Sequence, residues 1–444
     1  MTERNSTRSQ DDVLALERPG CRAGSDHDRG VAEIDLLSPL SIREITFRNR
    51  IAMSPMCQYS AEEGMANDWH LVHLGSRAVG GVALVMVEAT AVTRDGRISP
   101  GDMGLWSDAH IEPLARIARF VESQGTVPGI QLAHAGRKAS CDVPWRGGRR
   151  LKTAEGGWTV VAPSAIPFHD DDPLLVPLDQ AAIDGIVASF EAAATRALAA
   201  GFKLIEIHAA HGYLLHEFLS PLANQRGDDY GGSLENRMRL PLRVAERLRA
   251  IVPPSLPMFI RISATDWVAG GWDIAQSVEL AKRLKVLGID LIDVSSGGMV
   301  PTAQIPIAKG FQVPFARAIR EEARIRTGTV GMITEVTEAD RIITEGAADL
   351  VLIGRELLRE PYWALKAEAA LGPGLAGPCN MATRSSAARN RSLPWPTIWS
   401  PQFSSMASSR SSASGLPVGN SSHCAPSGPP SCTPSKMRGS GKTA

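Results

Sequence analysis

Between Ile51 and Gly354 the chain repeats one pattern: a short apolar, β-branched run, then a stretch whose apolar positions fall at helical spacing. The runs are Ile51–Met56, Leu84–Thr90, Val127–His134, Lys203–Ala209, Phe259–Ala264, Leu291–Ser295, Thr329–Met332 and Leu350–Gly354. Apolar runs of this length, bounded by turn formers, read as buried strands. The intervening stretches, among them Asp108–Gln124, Gln180–Ala200, Ala275–Leu287 and Pro314–Arg326, read as amphipathic helices. Regular alternation of the two predicts an α/β fold with a parallel sheet under helices. Eight strands over roughly 320 residues predict a closed (β/α)8 TIM barrel. The alternative, an open doubly wound sheet, lacks a GxGxxG turn after any strand. Ahead of the first strand, Leu36–Ile42 and Glu44–Arg50 read as a small β-hairpin capping the barrel floor.

Composition divides the chain further. Formal net charge is zero, but residues 373–444 hold no Asp or Glu and seven Lys and Arg, leaving residues 1–372 seven acidic charges in excess. Residues 1–30 are polar and aperiodic. Three parts are expected: a disordered leader at 1–30, a folded domain at 31–372, and a low-complexity basic tail at 373–444. No apolar stretch approaches the ~20 residues of a membrane helix. The opening MTERNSTRSQDD leads into no apolar segment of a secretory signal. Six scattered cysteines make no disulfide framework. A cytoplasmic protein with neither membrane nor nucleic acid as partner is expected.

Chemistry in a barrel gathers where strands end and loops begin, and the unusual polar residues fall there. Cys57 follows the first strand, Ala89 and Thr90 end the second, and Gln131 and His134 end the third. His208 and His211 follow the fourth, and Arg261 lies on the fifth. Ser295-Ser296-Gly297-Gly298 closes the sixth, Gly331 lies in the seventh, and Gly354-Arg355 closes the eighth.

The segments carrying these residues are NRIAMSPMCQYS (49–60), EATAVTRDGRISPGDMGLW (88–106), IQLAHAGRKA (130–139), HAAHGYLLHEFLSPLANQRGDDYGGSLENR (208–237), DVSSGG (293–298) and ADLVLIGRELLREPYW (348–363). As an ordered set they resemble the Old Yellow Enzyme family of FMN-dependent ene reductases, most of all its bacterial thermophilic-like subclass. The resemblance implies an NAD(P)H oxidoreductase with FMN as cofactor and NADPH or NADH as reductant. Its substrates are small unsaturated carbonyl compounds, and its members form homo-oligomers.

The resemblance also implies roles. Gly331, Met332, Gly354 and Arg355 hold the FMN phosphate, where glycine lets backbone N–H groups approach and a guanidinium adds paired hydrogen bonds. On local grounds Arg355 could equally cap a loop with Glu356. Arg261 supplies a cation beside the flavin pyrimidine, unless it pairs with a barrel carboxylate. Gln131 faces the ring edge with a group that both donates and accepts, and Ser54, Pro55, Met56 and Ala89 line the ring. Cys57 tunes the flavin as a weak donor; a cysteine at a strand end is otherwise a small core residue. His208 and His211 hold the substrate carbonyl and Tyr213 donates a proton, while Tyr59 and Ile98 shape the substrate pocket. A metal site built from His208, His211 and His216 is the competing reading of the histidines, whereas His70 and His73 read as structural. The larger iron–sulfur relatives need clustered cysteines beyond the barrel, and Cys379, Cys424 and Cys432 are too widely spaced for that. Reduction of nitroesters or quinones stays open.

The tail departs from the family. Members of the subclass end in a Pro-x-Gln-Tyr-type segment, which this chain lacks. Pro378-Cys379-Asn380-Met381-Ala382 is encoded CCN-TGY-AAY-ATG-GCN, and one base earlier this reads NTG-YAA-YAT-GGC, which permits Val-Gln-Tyr-Gly. A frame shift shortly before Pro378, in the gene or its sequencing, would account for the missing segment and the acid-free tail; the alternative is a genuine evolved tail. The rival to an active enzyme is therefore a flavin-binding protein whose turnover is impaired by its end.

Overall fold

The computed structural model describes residues 34–173 and 175–372. The expected leader and tail, with the frame-shift reading, fall outside them. Eight parallel strands close into a barrel: β1 Ile51–Met53, β2 Leu84–Ala91, β3 Val127–Ala133, β4 Leu204–Ala209, β5 Met258–Ser263, β6 Leu291–Ser295, β7 Arg326–Thr329 and β8 Leu350–Ile353. Closure is made between β8 and β1, with Val351 opposite Ile51 and Ile353 opposite Met53. The helices between strands are α1 Asp68–Val79, α2 Ile111–Ser123, α3 Gln180–Ala199, α4 Leu214–Leu219, α5 Leu234–Ile251, α6 Ile274–Val286, α7 Val313–Ala323, α8 Val336–Thr344, α9 Arg355–Arg359 and α10 Trp363–Leu371. None of the described helices is long and apolar enough to cross a membrane.

The hairpin is shorter than its pattern suggests, Leu40–Ile42 against Ile45–Phe47, with Arg43 in the left-handed region at its turn. Leu40, Ile42 and Phe47 join residues at or next to the strand starts, Leu84, Val127, Leu204, Phe259, Leu291 and Leu350, in one buried cluster. The Phe47 and Phe259 rings lie 6.2 Å apart. The floor of the barrel is thus plugged with apolar side chains, and the polar residues are displaced to the other end.

Three boundaries differ from the sequence pattern. Arg324 takes a left-handed conformation (φ 54°) that ends α7, so β7 begins at Arg326, three residues earlier than expected. Its residues, Arg-Thr-Gly-Thr, have no apolar signature, although Thr327 and Thr329 are buried. Gly331 therefore lies in the loop after β7 and not in the strand. After Met53 the ladder gains one further bond, Ser54 N–H to Ile353 O, and then Pro55, with no N–H, leads the chain away. The segment 356–371, whose residues suit a single helix, is broken around Pro361 into α9 and α10. The break lets α10 dock on the end of α1: the Leu365 N–H reaches Gly80 O, and a Cβ at Gly80 would strike Pro361 O.

Candidate active site

Alternation along a strand puts every second side chain into the lumen, and near the mouth these are polar. Gln131 pairs in register with Glu206, and Arg261 with both His208 and Asp293. Gln131 Nε2 donates to Glu206 Oε1 at 2.8 Å, and Arg261 Nη2 donates to Ser54 Oγ at 2.9 Å. Arg261 Nε lies 2.6 Å from Asp293 Oδ2, an ion pair whose N–H points off the oxygen. The alternative left open for Arg261 is realised: its charge meets a barrel carboxylate. Burial pushes Glu206 up to about 8, with the Asp293 charge adding to the shift, and burial raises Asp293 as well. Raised to about 8, Glu206 keeps its proton at neutral pH, which leaves the belt of Arg261, the Asp293 carboxylate and the Glu206 carboxylic acid without net charge.

Above the belt stand the two histidines. His208 Nε2 is 3.3 Å from His211 Nδ1, and His211 Nε2 is 2.8 Å from Ser295 Oγ. Burial, helped by the Arg261 charge, lowers both imidazoles well below their usual range, so both are neutral at neutral pH. His211 sits at φ 61°, a left-handed strain held by the loop after β6. A Cβ at Gly212 would lie 2.1 Å from Gly298 O, so the fourth and sixth motifs touch through glycine. The Tyr213 ring lies 4.9 Å from that of His208, and burial raises its phenol, which therefore keeps its proton. His216 faces away. Its Nδ1 accepts from Gly212 N–H and its Nε2 is 3.0 Å from Asp266 Oδ1, both side chains fully buried. The third imidazole of the metal reading thus buttresses the loop from behind.

A cavity of about 140 Å³ opens beside Tyr213, lined by Tyr59, Ile98, Lys138, Cys141 and Phe168. Tyr59 is strained (φ 53°) and packs edge-on against Trp145. Ile98 joins Tyr213 against a small apolar cluster formed by the segment after β3. The Cys57 thiol is raised by burial and by the Asp102 and Glu88 charges. A protonated thiol is a donor and a poor nucleophile.

At the far side of the mouth, Gly331 (φ 125°) and Met332 (φ 55°) both turn left-handed. A Cβ at Gly331 would lie 2.8 Å from Gln312 Nε2 and 3.0 Å from the Phe311 ring. Arg355 Nη2 touches Met332 Sδ at 3.1 Å and is exposed. Glu356 pairs with Arg359 at 2.8 Å, so the loop cap considered for Arg355 is not formed. A guanidinium without a carboxylate, above glycine backbone at late strand ends, fits a phosphate group. The neutral belt and the polar Gln131 fit a heteroaromatic ring between Arg261 and the histidines.

Several residues of this site carry no assigned role in the sequence reading. Lys138 donates to His211 O (2.8 Å) and Gly298 O (3.1 Å) and lies 5.4 Å over the Tyr213 ring. Glu206, Asp293 and Ser295 complete the inner network. Lys138, Asp293 and Ser295 stand inside the quoted motifs, where only the strand face on which they point would have singled them out.

The model of the NADH:flavin oxidoreductase / NADH oxidase family matches residues 35–372. An NADPH dehydrogenase of Geobacillus sp. (strain WCH70) is 48% identical over 342 residues, 77% of this chain and 95% of that protein. The NADPH dehydrogenase of Bacillus subtilis (strain 168) is 46% identical over 345 residues, 77% and 97%. Among solved structures, an old yellow enzyme homologue from Zymomonas mobilis superposes with a TM-score of 0.62 at 26% identity, covering 74% of this chain and 91% of that one.

Proposed function

The chain belongs to the NADH:flavin oxidoreductase / NADH oxidase family as an FMN-dependent NAD(P)H oxidoreductase, and from that premise we propose that it reduces carbon–carbon double bonds conjugated to a carbonyl. FMN, when bound, would supply hydride transfer between NADPH or NADH and the substrate's β-carbon. The observation that carries the reading is the convergence of His208, His211 and Tyr213 at the mouth, above Arg261.

Neutral imidazoles donate hydrogen bonds without bringing a charge that must be desolvated. Facing one carbonyl oxygen, His208 and His211 stabilise the negative charge that develops there as the β-carbon is reduced. Tyr213 holds its proton well into alkaline conditions and delivers it from its phenol oxygen to the α-carbon. Arg355, Gly331, Met332 and Gly354 would hold the cofactor phosphate; Arg261, Gln131 and Ser54 would hold the pyrimidine edge, with Pro55, Met56 and Ala89 along the ring. Cys57 would donate weakly to the ring. Tyr59 and Ile98 bound the substrate and exclude water from the oxyanion.

The test compares the wild type with Tyr213→Phe and with the double variant His208→Ala, His211→Ala, using cyclohexenone and a quinone. Tyr213→Phe should slow cyclohexenone reduction by roughly 10²-fold or more and spare the quinone, which needs no proton on carbon. The double variant should lose binding of para-hydroxybenzaldehyde, whose phenolate mimics the enolate, and keep FMN. Equal loss of both substrates in Tyr213→Phe would remove Tyr213 as the donor to carbon.

A further inference from the structure

Hydrogen bonds behind the histidine pair order its protons. Gln312 Nε2 donates to Val330 O at 2.7 Å, so Gln312 Oε1 faces the serines as an acceptor. Ser296 Oγ donates to that oxygen at 2.6 Å and Ser295 Oγ at 3.3 Å. With its proton directed to Gln312, Ser295 Oγ can only accept from His211 Nε2 at 2.8 Å. His211, being neutral, then has a bare Nδ1. His208 Nδ1 accepts from the Ala210 N–H at 3.2 Å, so the His208 proton is on Nε2, where it faces His211 Nδ1 at 3.3 Å. Every partner is satisfied, but only one imidazole N–H faces the mouth, and it is bonded to the other ring.

A carbonyl oxygen held by both rings needs a different order. His211 must carry its proton on Nδ1, and its Nε2 must then find a donor. The only group within reach of Nε2 among the described residues is the Ser295 hydroxyl. We propose that Ser295 selects the tautomer of His211: its hydroxyl faces Gln312 in the free enzyme and turns to His211 Nε2 when an oxyanion enters the site. One proton leaves Nε2 to water as another is taken up from water at Nδ1, so the ring stays neutral throughout. The Gln312 oxygen keeps its bond from Ser296 when Ser295 turns away, so the rearrangement strands no buried acceptor. Ser295 is thus a positioning residue, acting on substrate through His211. The inference rests on the proposed role of the pair as the carbonyl handle.

The experiment reads the ring nitrogens of isotope-labelled histidine in the FMN-loaded full chain by nuclear magnetic resonance. The His211 signals are those missing from His211→Ala. In the free enzyme His211 should be protonated at Nε2 and bare at Nδ1; saturating para-hydroxybenzaldehyde should reverse this. Ser295→Ala should bind that phenol about three- to tenfold more weakly, the fold-change for one neutral hydrogen bond, and Ser295→Thr should restore it. A His211 protonated at Nδ1 in the free enzyme, or unchanged by the phenol, overturns the proposal even if the Ser295 variants do not fold. Unaltered phenol affinity in Ser295→Ala overturns it too. Failure of the wild type to bind the phenol would instead overturn the proposed function, because the order of protons in the free enzyme is read separately.

Discussion

At the scale of single residues, burial decides which groups carry protons. Tyr213 and Cys57 keep theirs and His208 and His211 hold one proton each instead of two, so the mouth offers neutral donors to a developing oxyanion. The same physics links stability to pH. Glu217 is pushed up to about 8 by burial, although the Arg137 charge and the Arg137 N–H at 2.7 Å oppose the shift. The folded protein keeps a proton that the unfolded chain releases near its ordinary pKa, so stability falls as pH rises from about 4.5 to about 8. Glu217→Gln removes this contribution, and its melting temperature should decline less than that of the wild type across that window. An equal decline in both proteins would mean that Glu217 is ionised in the fold. Arg355, with no carboxylate partner among the described residues, should cost FMN roughly 1.5–3 kcal/mol of binding when changed to Ala, read by flavin fluorescence titration.

At the scale of elements, the ends of strands decide more than their middles. The left-handed turn at Arg324 advances β7 by three residues and moves Gly331 from a strand into the loop proposed to hold the phosphate. There a side chain meets both a positive φ and the Gln312 amide. Gly331→Ala should therefore cost about 1–3 kcal/mol of local strain and weaken FMN binding, with little change in the far-ultraviolet circular dichroism. Full FMN affinity in this variant would place the phosphate elsewhere. Strain recurs at Tyr59, His211 and Met332, each in a loop that carries site residues. The close approach of Gly212 to Gly298 locks two of those loops together.

At the scale of the whole barrel, the two ends do different work. The floor is a dry plug around Phe47 and Phe259, and the mouth is a polar network. Phe47→Ala should cost about 3–5 kcal/mol of stability, the range for a buried phenylalanine. The folded fraction should bind FMN and para-hydroxybenzaldehyde with wild-type affinity. A loss of ligand affinity matching the loss of stability would show that floor and mouth are coupled.

The alternation of apolar runs and helical stretches determined the barrel by itself, because each run is long enough only for a strand and each stretch only for a helix. The ordered motifs at strand ends carried the resemblance to the family, and the cofactor came with that resemblance. β7 was legible only in part: Arg-Thr-Gly-Thr is buried by its neighbours and not by its own hydrophobicity. Tertiary structure alone decided what the nominated residues touch. Whether Arg261 stands free or meets Asp293, whether His216 joins the other histidines or braces them, and which way Ser295 directs its proton all depend on strands far apart in sequence. Pattern along a chain records which face a residue takes, whereas charge, tautomer and strain are set by what the opposite strand presents across the lumen.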